Sequence, residues 1–240
     1  MSYDPNRWNY ANPSAASGYD IDVGLRQHML RVYNYMAGGL GLTGVIAYTA
    51  VSTGVYQAIM HTPLMWVVML APLGIVMLLS FRIQSMSVGG AQLAFWSYAA
   101  LMGLSLGGIF LVYTHTSIAS VFFITASMFL GMSLYGYTTK NDLTKFGSFL
   151  FMGLIGIVVA SLVNIFVMSS ALHFAISVAG VLIFTGLTAW DTQKIKEVYF
   201  AGMGPEWAAK SAIMGALTLY LDFINLFVMM LQLFGDRRSN

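Results

Sequence analysis

The 240-residue chain is 58% hydrophobic and only 8% charged, with a mean hydropathy of +0.74. A soluble domain carries about 25% charged residues, so this composition excludes a water-soluble fold and points to an integral membrane protein. The formal charge of +2 suggests no nucleic-acid surface, and the absence of Cys excludes disulfides, thiolate metal sites and thiol catalysis.

Residues 1–28 are rich in Asn, Ser, Pro and Tyr and lack the basic-then-apolar pattern of a signal peptide, so they read as a flexible cytoplasmic tail. A window of ~20 residues, long enough to cross ~30 Å of hydrocarbon, then finds seven apolar runs. They lie at 33–54, 64–81, 91–113, 117–137, 146–168, 172–190 and 212–234. The expected organisation is an all-α membrane domain over 29–235, followed by a short C-terminal tail at 236–240. Glycines crowd the first run at Gly38, Gly39, Gly41 and Gly44, and Gly103 and Gly107 form a small-residue face in the third, as close helix packing in lipid requires. Pro72 should kink the second helix and free a carbonyl. GLSLG at 103–107 matches a serine-hydrolase elbow, but it lies mid-helix rather than on an exposed strand-to-helix turn, so it carries no catalysis.

The links alternate in charge. Arg7, Arg26, Arg31, Arg82, Lys140, Lys145, Lys194, Lys196 and Lys210 fall on one side, and the positive-inside rule makes that side, with the N-terminus, cytoplasmic. Arg237 and Arg238 then end outside, against the rule, so the last run either spans despite its basic end or dips in and returns. Spanning is preferred. His61, His115 and His173 sit on the three opposite links and read as interfacial residues rather than a shared metal site.

Two acids stand out: Asp191 closes the sixth run and Asp222 lies inside the seventh. A carboxylate at membrane depth is costly and marks a functional site by default. Thr185, Thr188 and Asp191 share one helix face, and Thr218, Asp222 and Asn225 share another. Facing stripes would form a hydrated seam in which two carboxyls share a proton and titrate as a unit, making a pH sensor. Deprotonated, the pair suits a hard cation such as Ca²⁺, which makes Asp191 and Asp222 the candidate metal ligands. At ~1.5 Å per residue, however, Asp191 lies near the inner end of its helix and Asp222 ~15 Å into the next. The pair therefore meets only if the seventh helix begins late, which the helix-breaking Gly202, Gly204 and Pro205 allow. Otherwise Asp222 bonds a neighbouring helix and Asp191 caps its loop or pairs with Lys194.

FTGLTAWDTQKIK and LTLYLDFINLFVMMLQLFG, with GYTTKNDLTKFGSFLFMGLIG and FFITASMF, resemble the Bax inhibitor-1 (transmembrane Bax inhibitor motif) family over about residues 25 to 235. The resemblance implies six helices around a central seventh, a pH-sensitive calcium leak and an aspartate-pair sensor, for which Asp191 and Asp222 are the counterparts. It also implies a basic residue at the inner end of the second helix, a place that Arg82 holds. One departure is the 30-residue link between the two aspartates, with its AGMGPEW insertion.

The leading expectation is thus a non-enzymatic cation leak channel of a bacterial inner membrane, with Thr188, Thr218 and Asn225 lining the path, Arg82 neutralising the closed state and calcium as transient cargo rather than a resident cofactor. Besides lipid and Ca²⁺, the family resemblance allows a membrane-anchored quality-control protease as partner, which would make the chain an interaction protein. A third reading, an intramembrane aspartyl protease, is disfavoured because Asp191 follows Trp190 and Asp222 follows Leu221, where presenilin-like proteases carry Tyr-Asp and Gly-x-Gly-Asp.

Overall fold

A computed structural model describes residues 17–200 and 202–238, with side chains from residue 23 onward. Eight helices follow one another: α1 (Ser17–Ser52), α2 (Val55–Met60), α3 (Leu64–Arg82), α4 (Val88–Val112), α5 (His115–Thr138), α6 (Thr144–Val167), α7 (Ser170–Val198) and α8 (Pro205–Phe234). The all-α membrane class expected from composition holds. Six of these helices, α3 to α8, are long and apolar enough to cross a membrane. α1 is not among them, because its first turns carry charges and its later turns are diluted with Gly, Thr and Tyr. It nonetheless runs the full depth of the bundle: Tyr33 bonds Ser133 near the foot of α5, and Tyr48 stacks on His115 at the opposite end.

α8 is the axis. In its most apolar stretch 67% of the residues are buried, against 17% in α3 and 11% in α6. α1, α4, α5 and α7 pack directly on it, whereas α3 leans chiefly on α4 and α6 on α7. The ring around the central helix is therefore four helices with two outriggers. Tyr220 of α8 lies fully buried edge-on to Phe95 and Tyr98 of α4, and its hydroxyl meets that of Thr43, which also donates to the Ala99 carbonyl. A buried polar link thus joins α1, α4 and α8 where no water is at hand to satisfy those groups.

Two sequence features find their explanation in packing. A Cβ on Gly103 would stand 2.7 Å from the Thr43 carbonyl oxygen, so this glycine sets the close approach of α1 to α4. Pro72, inside α3, has no N–H for the Val68 carbonyl, and the hydroxyl of Ser105 on α4 donates to that oxygen at 2.8 Å. The serine of GLSLG is thereby a helix-repair group.

α1 begins at Ser17, so the second part of the segment read as a tail is helical; residues 1–16 lie outside the described residues. The C-terminal end is not loose either. Tyr113 and Arg237 form an antiparallel bridge, Arg238 N–H donates to Val112 O, and Thr114 N–H donates to Asp236 O. α8 is one continuous 30-residue helix, unbroken and apolar enough to cross a membrane in one pass, and its end sits beside the α4–α5 turn.

Candidate functional site

Past Trp190 the chain turns polar, DTQKIKEV, yet α7 continues to Val198 because its neighbours satisfy those side chains. Gln193 accepts from Leu143 N–H and donates to Asn141 O, both at 2.8 Å, and Lys196 donates to Tyr137 O at 2.9 Å, so the α5–α6 link is tied to this end of α7. Thr192 meets Ser133, which meets Tyr33. Glycines on both sides bring α7 in closely: Gly136 of α5 abuts the Ala189 carbonyl and Gly147 of α6 lies under the Trp190 indole, with no room for a side chain at either.

α8 starts at Pro205, in the first-turn position that proline favours, after Gly202 takes a left-handed φ of 97°. The helix of the last apolar run, α8, thus begins early, not late as the contact of the acids was expected to require. What brings the acids together is the register: Gly215 faces Ile195 and Gly180 faces Met229. In that register Asp191 stands level with Leu219, about one turn from Asp222. That register sets the two carboxyls beside each other, on facing sides of α7 and α8. Both are buried, at 8% and 5% exposure. Asp222 Oδ2 has no amide, hydroxyl or ammonium donor. Two carboxyls side by side can bond each other only while one of them carries a proton, since ionised carboxylates accept but do not donate.

The pair lies where two cavities meet. The larger, about 650 Å³, runs between α6, α7 and α8 and is lined by Trp190, Asp191, Lys194, Thr218, Asp222 and Asn225 among apolar residues. The smaller, about 230 Å³, lies between the last turns of α7 and the first of α8, with Ile83, Trp207 and Lys210 in its wall. Asp191, Lys194 and Thr218 line both. Along α8 the two extend from Trp207 to Met229, roughly 33 Å at 1.5 Å per residue, comparable with the ~30 Å hydrocarbon core.

The supporting residues divide. Thr218 and Asn225 line the cavities, although the Thr218 hydroxyl and the Asn225 amide nitrogen also bond their own helix at Met214 O and Leu221 O. Thr188 does not line them: it is fully buried and donates to Phe184 O, because the cavity face of α7 is Phe184, Leu187, Trp190, Asp191 and Lys194. Arg82 ends α3 with an exposed side chain; its neighbour Ile83 reaches the cavity wall and Arg82 itself does not. The cations at the acids are instead Lys194, over the Trp190 ring at 5.1 Å, and Lys210. Lys210 is 6% exposed, pairs with Glu206 at 2.7 Å and donates to Gln84 O at 3.3 Å. Sequence reasoning took it for a link residue; the Glu206/Lys210 spacing of four on an amphipathic first turn was the available signal. Among the described residues no group of three or more His, Asp or Glu could hold a metal, so any cation here would have two carboxylates and neutral oxygens as ligands.

A helical bundle in which six helices are long and apolar enough to cross a membrane, with an acid pair at its centre, defines a multi-pass membrane protein. The model of the family described as inhibitor of apoptosis-promoting Bax1 matches residues 25–239, and the chain belongs to that family, Bax inhibitor-1. It is 51% identical over 220 residues to an uncharacterised Rickettsia prowazekii protein, covering 91% of this chain and 93% of the relative. It is 48% identical, again over 220 residues, to the inner membrane protein YbhL of Escherichia coli K12, covering 90% and 94%. An uncharacterised membrane protein of Streptococcus pyogenes is 36% identical across 89% and 94%.

Proposed function

We propose that the chain is a pH-sensitive leak channel for calcium or a similar cation in a bacterial inner membrane, gated by the Asp191/Asp222 pair. The observation that carries this reading is the contact of the two buried carboxyls at the junction of the two cavities. While they share a proton they bond each other and close the junction. Stripped of it, they become like charges in contact, which repel and favour separation or a divalent cation between them. Thr218 and Asn225 supply neutral oxygens beside the acids, and Lys194 and Lys210 hold positive charge at the mouth, where a hydrated cation must pass. The face bearing the lysines is the cytoplasmic one on this reading, as the positive-inside rule requires, and calcium is cargo rather than a bound cofactor.

The test is Ca²⁺ flux into proteoliposomes of purified protein at acidic, neutral and alkaline pH, beside Asp222→Asn. A pH-dependent flux that the variant lacks supports the gate. No flux above empty liposomes at any pH rejects it and favours a protein that acts through a membrane partner such as a protease, for which co-purification from native membrane is the next experiment.

A further inference from the structure

On the side of α8 away from the acids, α1 and α5 pack little against each other, meeting at the Tyr33–Ser133 hydrogen bond at one end and the Tyr48 and His115 rings at the other. The gap holds three cavities in line. The first, about 590 Å³, is walled by Met36, Gly41, Val45, Ala126, Phe129 and Leu130. It shares Leu40, Gly44, Phe122 and Phe223 with a second of about 280 Å³, which reaches Ala47, Leu106 and Ile118. That one shares Phe110 and His115 with a third of about 170 Å³, where the lining turns polar: Tyr48, Ser52, His115 and Arg238. Gly41 and Gly44 face open space, so the groove is not a close-packing surface awaiting only side-chain adjustment.

The cationic end is built. Arg238 is placed by its backbone bond to Val112 O and the Tyr113–Arg237 bridge, and its guanidinium donates to His115 Nε2 at 2.9 Å, with His115 itself braced by the rings of Tyr48 and Phe110. Asp236 offsets one of the two arginine charges, and neither Arg237 nor Arg238 has a carboxylate partner among the described residues. These arginines sit on the face opposite to every other described Lys and Arg, where charge patterning alone leaves them unexplained.

We propose that this groove binds one anionic phospholipid, an acyl chain lying along α1 over Phe122 and Phe223 and the phosphate meeting Arg238 beside Ser52. From Met36 to Ser52 the groove measures roughly 24 Å along α1, close to one leaflet, about 15 Å of hydrocarbon plus its headgroup layer, and short of the full ~30 Å that a partner helix would cover. An apolar stem with one cationic end matches a lipid in shape and charge. The site is independent of the acid pair, so it stands or falls apart from the leak reading.

Native mass spectrometry of the full chain with palmitoyl-oleoyl phosphatidylglycerol, or with phosphatidylcholine of the same acyl chains, tests it. One retained phosphatidylglycerol per chain is expected, held roughly fivefold more tightly than phosphatidylcholine, with that preference lost in Arg238→Gln. Gly44→Phe should fill the groove and abolish retention of both lipids at unchanged thermal stability; Gly41→Leu serves in its place if that variant folds poorly. Equal retention of the two lipids by the wild type, or retention untouched by the groove variants, overturns the proposal. Cross-linking of two copies through Gly41→Cys overturns it too, since the groove would then hold protein.

Discussion

Asp222 and Asp191 lie buried side by side, where any bond between them depends on a proton, which makes the paired amide the sharpest probe of the site. Asp222→Asn is expected to keep the fold, since Asn can donate to Asp191, while fixing the junction in one state: flux should become flat across pH. Asp191→Asn should flatten it less, because Asp191 lies at the more open end, lining both cavities. A wild-type pH profile in both variants would refute the gate. Lys210→Met removes the buried ammonium at the mouth while preserving its stem, and is expected to raise cation flux at every pH; flux equal to wild type would confine Lys210 to its pairing with Glu206. Arg82→Ala, by contrast, should leave the profile intact, since Arg82 is exposed outside the cavity wall. The two acids were legible in the sequence because charge at membrane depth is conspicuous. Lys210 was not, because a lysine near a helix start looks like any link residue until its burial is seen.

The helices were legible where hydropathy and helicity coincide and obscure where they part. Runs ending at 190 and starting at 212 became helices ending at Val198 and starting at Pro205, because hydrogen bonds from Gln193 and Lys196 and the Glu206–Lys210 pair sustain polar turns that no apolar window detects. The ruler laid on those shortened helices therefore misjudged how the acids meet. α1 extended in the same way into the segment read as tail. Close approach is the property most sensitive at this scale. Gly103→Val should cost about 1–3 kcal/mol by forcing α1 off α4, measured as a lower unfolding temperature in detergent; an unchanged midpoint would mean the helices separate freely. Ser105→Ala leaves the Val68 carbonyl without its donor and should cost about 1 kcal/mol or less, in line with other interhelical bonds in membranes.

For the whole molecule, the all-α class and the membrane residence follow from composition, and the family comparison agrees. The arrangement of the ring does not follow. Uniformly apolar helices carry no stripe to say which face turns inward, so that α3 and α6 stand outside while α1, the least apolar, lies inside could be read only from packing. Small residues and buried hydroxyls, not apolarity, choose the inner helices here, as Thr43, Gly103 and Tyr220 illustrate.

The helix on which all four inner neighbours rest is translated after every one of them. Chains emerge from the ribosome N-terminus first, at about 5–20 residues per second. Until Pro205–Phe234 has been made, α1, α4, α5 and α7 sit in the bilayer around an absent axis, with Thr43 and Tyr98 turned towards a partner that does not yet exist. Assembly must therefore wait for α8 itself, and a nonsense change anywhere before this 30-residue helix should yield inserted helices that never lock together and are cleared by proteolysis.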